Sequence, residues 1–147
     1  MQCPVARSLE RVGEWWSILI LRDALNGVTR FEAFQKSLDI APNILARRLR
    51  ALVEAGLLER RRYSERPPRD DYVLTPCGRD FQPVVIAMMA WGNRHFAPEG
   101  RAVTLVDRET GIEADPILID AVSGRPMSDR IFRLTRNAPA TGERERQ

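Results

Sequence analysis

The stretch Ile40–Arg62, IAPNILARRLRALVEAGLLERRR, decides the fold. Leucines recur at Leu45, Leu49 and Leu52, while Arg47, Arg48 and Arg50 stand among them. Pro42 suits the first turn of a helix, where its missing N–H has no partner to lose, and Gly56 suits a helix end. At 100° per residue the three leucines fall within a sector about 60° wide, and Asn43, Arg47, Arg50 and Glu54 fall within a similar sector opposite. Arg48 lies on the flank, where its stem can run along apolar surface while its head reaches outward. The pattern predicts a helix from Pro42 to Ala55 that is split lengthwise, hydrocarbon inward and asparagine and arginine outward.

The charge around this helix is concentrated rather than general. The 147-residue chain carries a net charge of only +3. Residues 41–69 alone hold eight arginines against three acids, a local surplus of five that exceeds that of the whole chain. An anionic partner is therefore argued from placement, not from bulk basicity. Hydrophobic residues at 44% and charged residues at 29% match a globular domain with a core of its own.

Working outward, residues 8–26 (SLERVGEWWSILILRDALN) have apolar positions at three- and four-residue spacing, with Gly13 breaking the stretch into two helices and Asn26-Gly27 closing it. A further helix is predicted over Arg30–Leu38, with Phe31, Phe34 and Leu38 as its apolar stripe, followed by the short turn DIAP. After Gly56, LLERRRY and DYVLT read as two strands around a loop SERPPRD, in which Pro67 and Pro68 stay out of the ladder. Thr75-Pro76 is an N-cap followed by proline at N1. It opens a long helix reaching His95 and kinked at Pro83. Beyond it, LVDRETG (105–111) is echoed thirteen positions later by LIDAVSG (118–124), which predicts two small hairpins in tandem. The polar stretch from Asn137 reads as a disordered tail. The expected organisation is a mainly α domain over 1–97 with a small antiparallel β-hairpin wing, a short β-rich extension over 98–136, and the tail over 137–147.

Helix, short turn, split helix and basic hairpin, in that order, make a winged helix-turn-helix. The major groove of duplex DNA admits one helix, arginine can contact guanine with two hydrogen bonds, and asparagine can do the same with adenine. Arginines on a protruding hairpin suit phosphate or minor-groove contact and supply affinity more than sequence choice. The competing reading is a winged-helix protein-interaction module whose arginines are solvated or bind an acidic partner.

The likeness extends along the chain. CPVARSLERVGEWWSILILRDAL, RFEAFQKSL, APNILARRLRALVEAGLLERR, PPRDDYVLTPCGRDFQPVV and WGNRH, spanning about residues 3–96, resemble the HxlR-type winged-helix transcription regulators, relatives in architecture of the MarR regulators. The resemblance implies a homodimeric regulator acting on a roughly palindromic operator in double-stranded DNA; the reading is a repressor or dual regulator, with a small-molecule or electrophile effector as a candidate partner. It assigns groove contacts to Asn43, Arg47, Arg48 and Arg50, and wing contacts to Arg62, Arg66 and Arg69. Phosphate contacts at the start of the preceding helix go to Thr29 and Arg30. Ala46 stands where the family more often has a polar residue, so base reading here leans on the arginines. Some relatives continue into a cysteine-rich ribbon; VDRETGIEADPILIDAVSGRPM resembles its glycine turns without its cysteines, so no zinc or other cofactor is expected. Some relatives also use an N-terminal cysteine as an oxidant or electrophile sensor, which makes Cys3 a redox-sensing candidate. The alternative for Cys3 is a small apolar residue in an interface.

VVIAMMAW (84–91) is apolar nearly all round, and WWSILIL poses the same problem near the start. A homodimer through the first and last helices would cover both; a central helix buried within a monomer is the alternative. No enzyme is expected: the chain lacks a glycine-rich phosphate loop, C-x-x-C or GxSxG. Asp70-Asp71 begin a strand and point to opposite faces, and His95 is the sole histidine. MQCPVARSLERV has no apolar core of the kind a signal peptide needs, and no apolar run nears the roughly 20 residues that span a bilayer. The expectation is a cytoplasmic protein without a structural disulfide or membrane association.

Overall fold

Gly13 is where the first helical stretch divides. In the computed structural model, which describes residues 3–128 and 130–137, α1 spans Pro4–Val12 and α2 spans Trp15–Leu25. The Gly13 N–H still donates to the Leu9 carbonyl at 2.7 Å. A Cβ at Gly13 would collide with that same carbonyl oxygen, so only glycine fits the closing turn. Glu14 then caps α2, its carboxylate accepting from the Trp16 N–H at 3.1 Å.

The helix-turn-helix follows as α3, Phe31–Leu38, and α4, Pro42–Glu54. Asp39 adopts a left-handed conformation (φ 49°) to stop α3, and Gly56 does so (φ 77°) after α4. The leucine stripe of α4 faces inward as its period requires: Leu45, Leu49 and Leu52 are fully buried, packed with Ile20 and Leu21 of α2, Phe34 of α3 and Leu58. Each such side chain contributes roughly 1.5–3 kcal/mol through burial, so this stripe fixes which side of α4 is left outside.

The hairpin is longer and tighter than its sequence suggests. Strands β1 (Leu58–Glu65) and β2 (Pro68–Leu74) pair antiparallel from Leu58↔Leu74 to Glu65↔Pro68, with a bulge between Arg62 and Ser64. The expected seven-residue loop is thus mostly strand. Pro68 is tolerated because it is the first residue of its strand, and the Ser64 hydroxyl closes the tip by donating to the Pro67 carbonyl at 2.9 Å. A rudimentary third strand joins it: the Thr29 carbonyl accepts from the Tyr72 N–H at 2.7 Å, and Arg30 bridges to Asp71. Arg30 therefore precedes α3 instead of starting it.

Pro83 breaks the expected long helix rather than kinking it. A short α5, Pro76–Arg79, is capped by the Thr75 hydroxyl, which accepts from the Gly78 N–H at 3.1 Å, and α6 spans Gln82–His95. Proline at position 83 removes the N–H that would bond Arg79 and clashes with its carbonyl, so α6 restarts with Pro83 in its first turn. α6 packs against α2 yet has no fully buried residue; Val84, Met88 and Trp91 stay exposed, as do Val5 and Leu9 of α1 and Trp15 of α2.

The chain divides into two compact units, Met1–Ala114 and Asp115–Gln147. The thirteen-residue repeat is real at the level of hydrogen bonds, although each copy is a turn closed by a single antiparallel bridge, Val106↔Glu113 in one unit and Ile119↔Pro126 in the other, rather than a stranded hairpin. The Gly111 N–H donates to the Asp107 carbonyl at 2.8 Å, and the Gly124 N–H to the Asp120 carbonyl at 2.7 Å. The expected tail lies, from residue 138 on, outside the described residues.

Candidate nucleic-acid interface

With its leucines buried, α4 turns Asn43, Arg47 and Arg50 to solvent. Among the described residues neither Arg47 nor Arg50 makes an ion pair, and Asn43 makes no hydrogen bond with its side chain. This face has donors and positive charge without a partner among the described residues.

Arg48 is placed differently from the expectation. Its side chain is only 27% exposed, and its Nε lies 3.1 Å from Oε2 of Glu14, at the start of α2. That Nε is shut off from water, and the pair is close without being aligned as a hydrogen bond. The side chain is mostly covered, and its head is drawn to Glu14 instead of to the open face.

The wing arginines are mostly engaged too. The Arg62 Nε donates to Asp70 at 2.8 Å, with Glu65 at 3.5 Å from the same guanidinium, and Arg60 lies 4.0 Å from Asp70. The Asp70 carboxylate raises the Arg62 pKa above its ordinary value, first through the hydrogen bond and then through its charge, with Glu65 adding a smaller share. Arg69 pairs with Glu32 at 3.7 Å, and Arg61 with Glu59 at 3.4 Å. Arg30 lies 4.3 Å above the Tyr63 ring and 3.5 Å from Asp71, which also accepts from the Thr29 hydroxyl at 3.2 Å. Of the wing candidates Arg62, Arg66 and Arg69, only Arg66, at the tip, has no ion pair among the described residues.

Sequence reasoning did not find Asp70, Asp71, Tyr63 or Glu14. The acids carried a legible signal: RRR at 60–62 faces DD at 70–71 once the hairpin is closed at its tip. Tyr63 and Glu14 carried none, since each acts on a residue far away in the chain.

Cys3 is the exposed N-cap residue of α1, and Cys77 is exposed in the first turn of α5; both are free thiols. Among the described residues no group of three or more His, Cys, Asp or Glu side chains is arranged to hold a metal ion, and no helix is long and apolar enough to cross a membrane.

Residues 11–100 match the family described as HxlR-like helix-turn-helix. The chain belongs to that family. The match covers both helices of the helix-turn-helix, the wing and α6, so the exposed face of α4 lies within a DNA-binding domain of the transcription-regulator class. An uncharacterized HTH-type transcriptional regulator of Mycobacterium tuberculosis is 42% identical over 127 residues, covering 86% of this chain and 80% of the relative. Among solved structures, a candidate transcription factor from Pseudomonas aeruginosa is 54% identical with a TM-score of 0.68, covering 95% of this chain and 96% of that one. The redox regulator HypR in its oxidized form is 32% identical with a TM-score of 0.58, covering 63% of this chain and 97% of that one. The resemblance read from the sequence and the winged helix-turn-helix fold therefore both stand, and the HxlR-like relatives are regulators of transcription rather than enzymes.

Proposed function

We propose that this HxlR-like protein is a homodimeric repressor of the cytoplasm that reads a palindromic operator through α4 and grips phosphate through its wing. The observation that carries the reading is the unsatisfied face of Asn43, Arg47 and Arg50, held outward by the buried leucines. Arginine and asparagine are the side chains that make paired hydrogen bonds to guanine and adenine edges. Arg66 at the tip, Arg62 and Arg69 along the hairpin, and Thr29 and Arg30 beside it supply phosphate contacts. Apart from Arg66, these groups first exchange an internal carboxylate partner for phosphate. In solvent such pairs are weak, so the exchange is feasible, but it makes the wing less adhesive than its arginine count suggests.

Dimerisation is supported by the apolar side chains left uncovered on α1 and α6, with Trp91 56% exposed at the far end of α6. A second copy related by a twofold axis would cover them and set two α4 helices about one DNA turn apart. Cys3, exposed at the N-cap of the helix that carries the uncovered Val5 and Leu9, is the proposed site at which an oxidant or electrophile acts. The likeness to HypR, described as a redox regulator, supports that assignment.

The deciding experiment is binding to a duplex selected from a random library, compared with random duplex of equal length, across a salt series. The proposal expects a strong preference for the selected duplex and a linear fall of log K with log salt at about 0.9 per phosphate contact. Binding indifferent to both sequence and salt would instead favour the protein-interaction module.

A further inference from the structure

We propose that Glu14 and Arg48 form a positioning pair that sets the roll of α4 about its own axis, and so the aim of Arg47 and Arg50; this rests on the proposal that α4 reads DNA. Arg48 sits on the order of 100–160° round the helix from Arg47 and Arg50. It cannot share a groove with them when α4 docks on its open face. A guanidinium whose Nε is shut off from water is also costly to keep unless its charge is matched, and the matching group here is Glu14.

Glu14 is suited to be a fixed point. One of its carboxylate oxygens, Oε2, both accepts the Trp16 N–H at 3.1 Å and lies 3.1 Å from Arg48 Nε. The same atom therefore caps the start of α2 and pairs with α4. It stands next to Gly13, whose N–H is tethered to the Leu9 carbonyl at 2.7 Å. The leucine stripe fixes which side of α4 faces the core, but the hydrophobic effect is non-directional, so it sets the fine roll less sharply than a directed pair does. An ion pair on the flank supplies that direction. The magnitude is sufficient to matter: at the outer edge of the helix, a radius of about 5–6 Å, a roll of ~10° moves the side chain of Arg47 or Arg50 by about 1 Å. That exceeds the whole 2.7–3.2 Å window of an N–H···O hydrogen bond.

The test compares the full-length protein with Arg48→Met, Arg48→Lys, Glu14→Gln and the double variant Glu14→Gln/Arg48→Met. Each is measured on the selected and the random duplex across the salt series, with folding checked by thermal melting. Glu14→Gln keeps an oxygen for the Trp16 N–H, so α2 stays capped while the charge pairing is lost. The expected result is that Arg48→Met and Glu14→Gln each lower the selected-to-random affinity ratio at least tenfold, with the salt slope unchanged. The double variant matches the single ones, and Arg48→Lys retains part of the ratio.

If Arg48 touched phosphate, Arg48→Met would weaken both duplexes alike and make the salt slope shallower, which overturns the proposal. If Glu14 were only a solvated acid, Glu14→Gln would leave the ratio unchanged while binding tightened slightly on every duplex, which also overturns it. Should Arg48→Met fail to fold, Glu14→Gln decides alone. A wild-type protein with no preference for any selected duplex would overturn the DNA-reading proposal itself, an outcome separate from a wild-type preference that the variants leave intact.

Discussion

Asp70 takes the guanidinium of Arg62 across the wing at 2.8 Å, from a position directly paired with it in the ladder. A hairpin rich in arginine thus carries its own acidic counterweight on the neighbouring strand. Under the proposed function the wing's charge is a reserve, released when phosphate displaces the carboxylate.

Removing that counterweight should strengthen binding without improving choice. Asp70→Asn keeps the side chain's shape but frees Arg62 and Arg60. We expect tighter binding to selected and random duplexes alike, with the salt slope steeper by about 0.9 for each additional phosphate contact. An unchanged slope in a fluorescence titration would mean that these arginines never reach phosphate.

Arg47 and Arg66 should separate reading from gripping. Arg47→Ala removes a proposed groove contact and should cost about 1–3 kcal/mol on the selected duplex, with base choice relaxed at one position. Arg66→Ala should weaken binding to every sequence by the same factor. Parallel titrations on selected and random duplexes test the division, and equal losses for both changes would end it.

The uncovered face of α6 should be an assembly surface. Trp91→Glu places a charge where apolar contact is proposed, so analytical ultracentrifugation should find monomers at concentrations where the parent is dimeric. Affinity for a palindrome should then drop toward that for a half-site. A parent that sediments as a monomer at all concentrations would refute the dimer.

Cys3 should govern any response to oxidants. Cys3→Ser should stay folded and bind DNA as the parent does, but no longer lose or gain affinity with diamide. A diamide response of full size in Cys3→Ser would remove Cys3 from the mechanism.

The two glycine turns should share a pH response. Backbone hydrogen bonds from Thr110 and then Glu109 hold the Asp107 pKa below its ordinary value. For Asp120 the Ser123 hydroxyl does most, followed by the backbone N–H groups of Val122 and Ser123. A carboxylate whose folded pKa is depressed stabilises its turn fully above the ordinary carboxylate range, and the contribution is lost as pH falls through the folded value. Amide signals of Glu109, Thr110, Val122 and Ser123 should therefore shift only under strongly acidic conditions. Asp120→Asn should abolish that shift at Val122 and Ser123 while leaving the other turn unchanged.

The order of elements was legible in the chain because its signals are local. The three-and-four spacing of Leu45, Leu49 and Leu52, the break at Gly13, the helix start at Pro42 and the stop at Gly56 each depend on residues within a turn or two. Those signals fixed the buried side of α4, and with it the outward setting of Asn43, Arg47 and Arg50. Pro83 was read as a kink although the helix breaks there, and Pro68 as loop although it begins a strand. In both cases proline forbids certain hydrogen bonds without saying which alternative the neighbours will favour.

What only tertiary structure decided is where the remaining charges went. Arg48 meets Glu14 thirty-four positions earlier in the chain, and Thr29 meets Asp71 forty-two positions later. Periodicity placed Arg48 on the flank of its helix but could not name its neighbour, because an ion pair depends on distance in space and local spacing carries no information about it. Sequence alone set which face of α4 is wet; folding chose which of its arginines stay free on it.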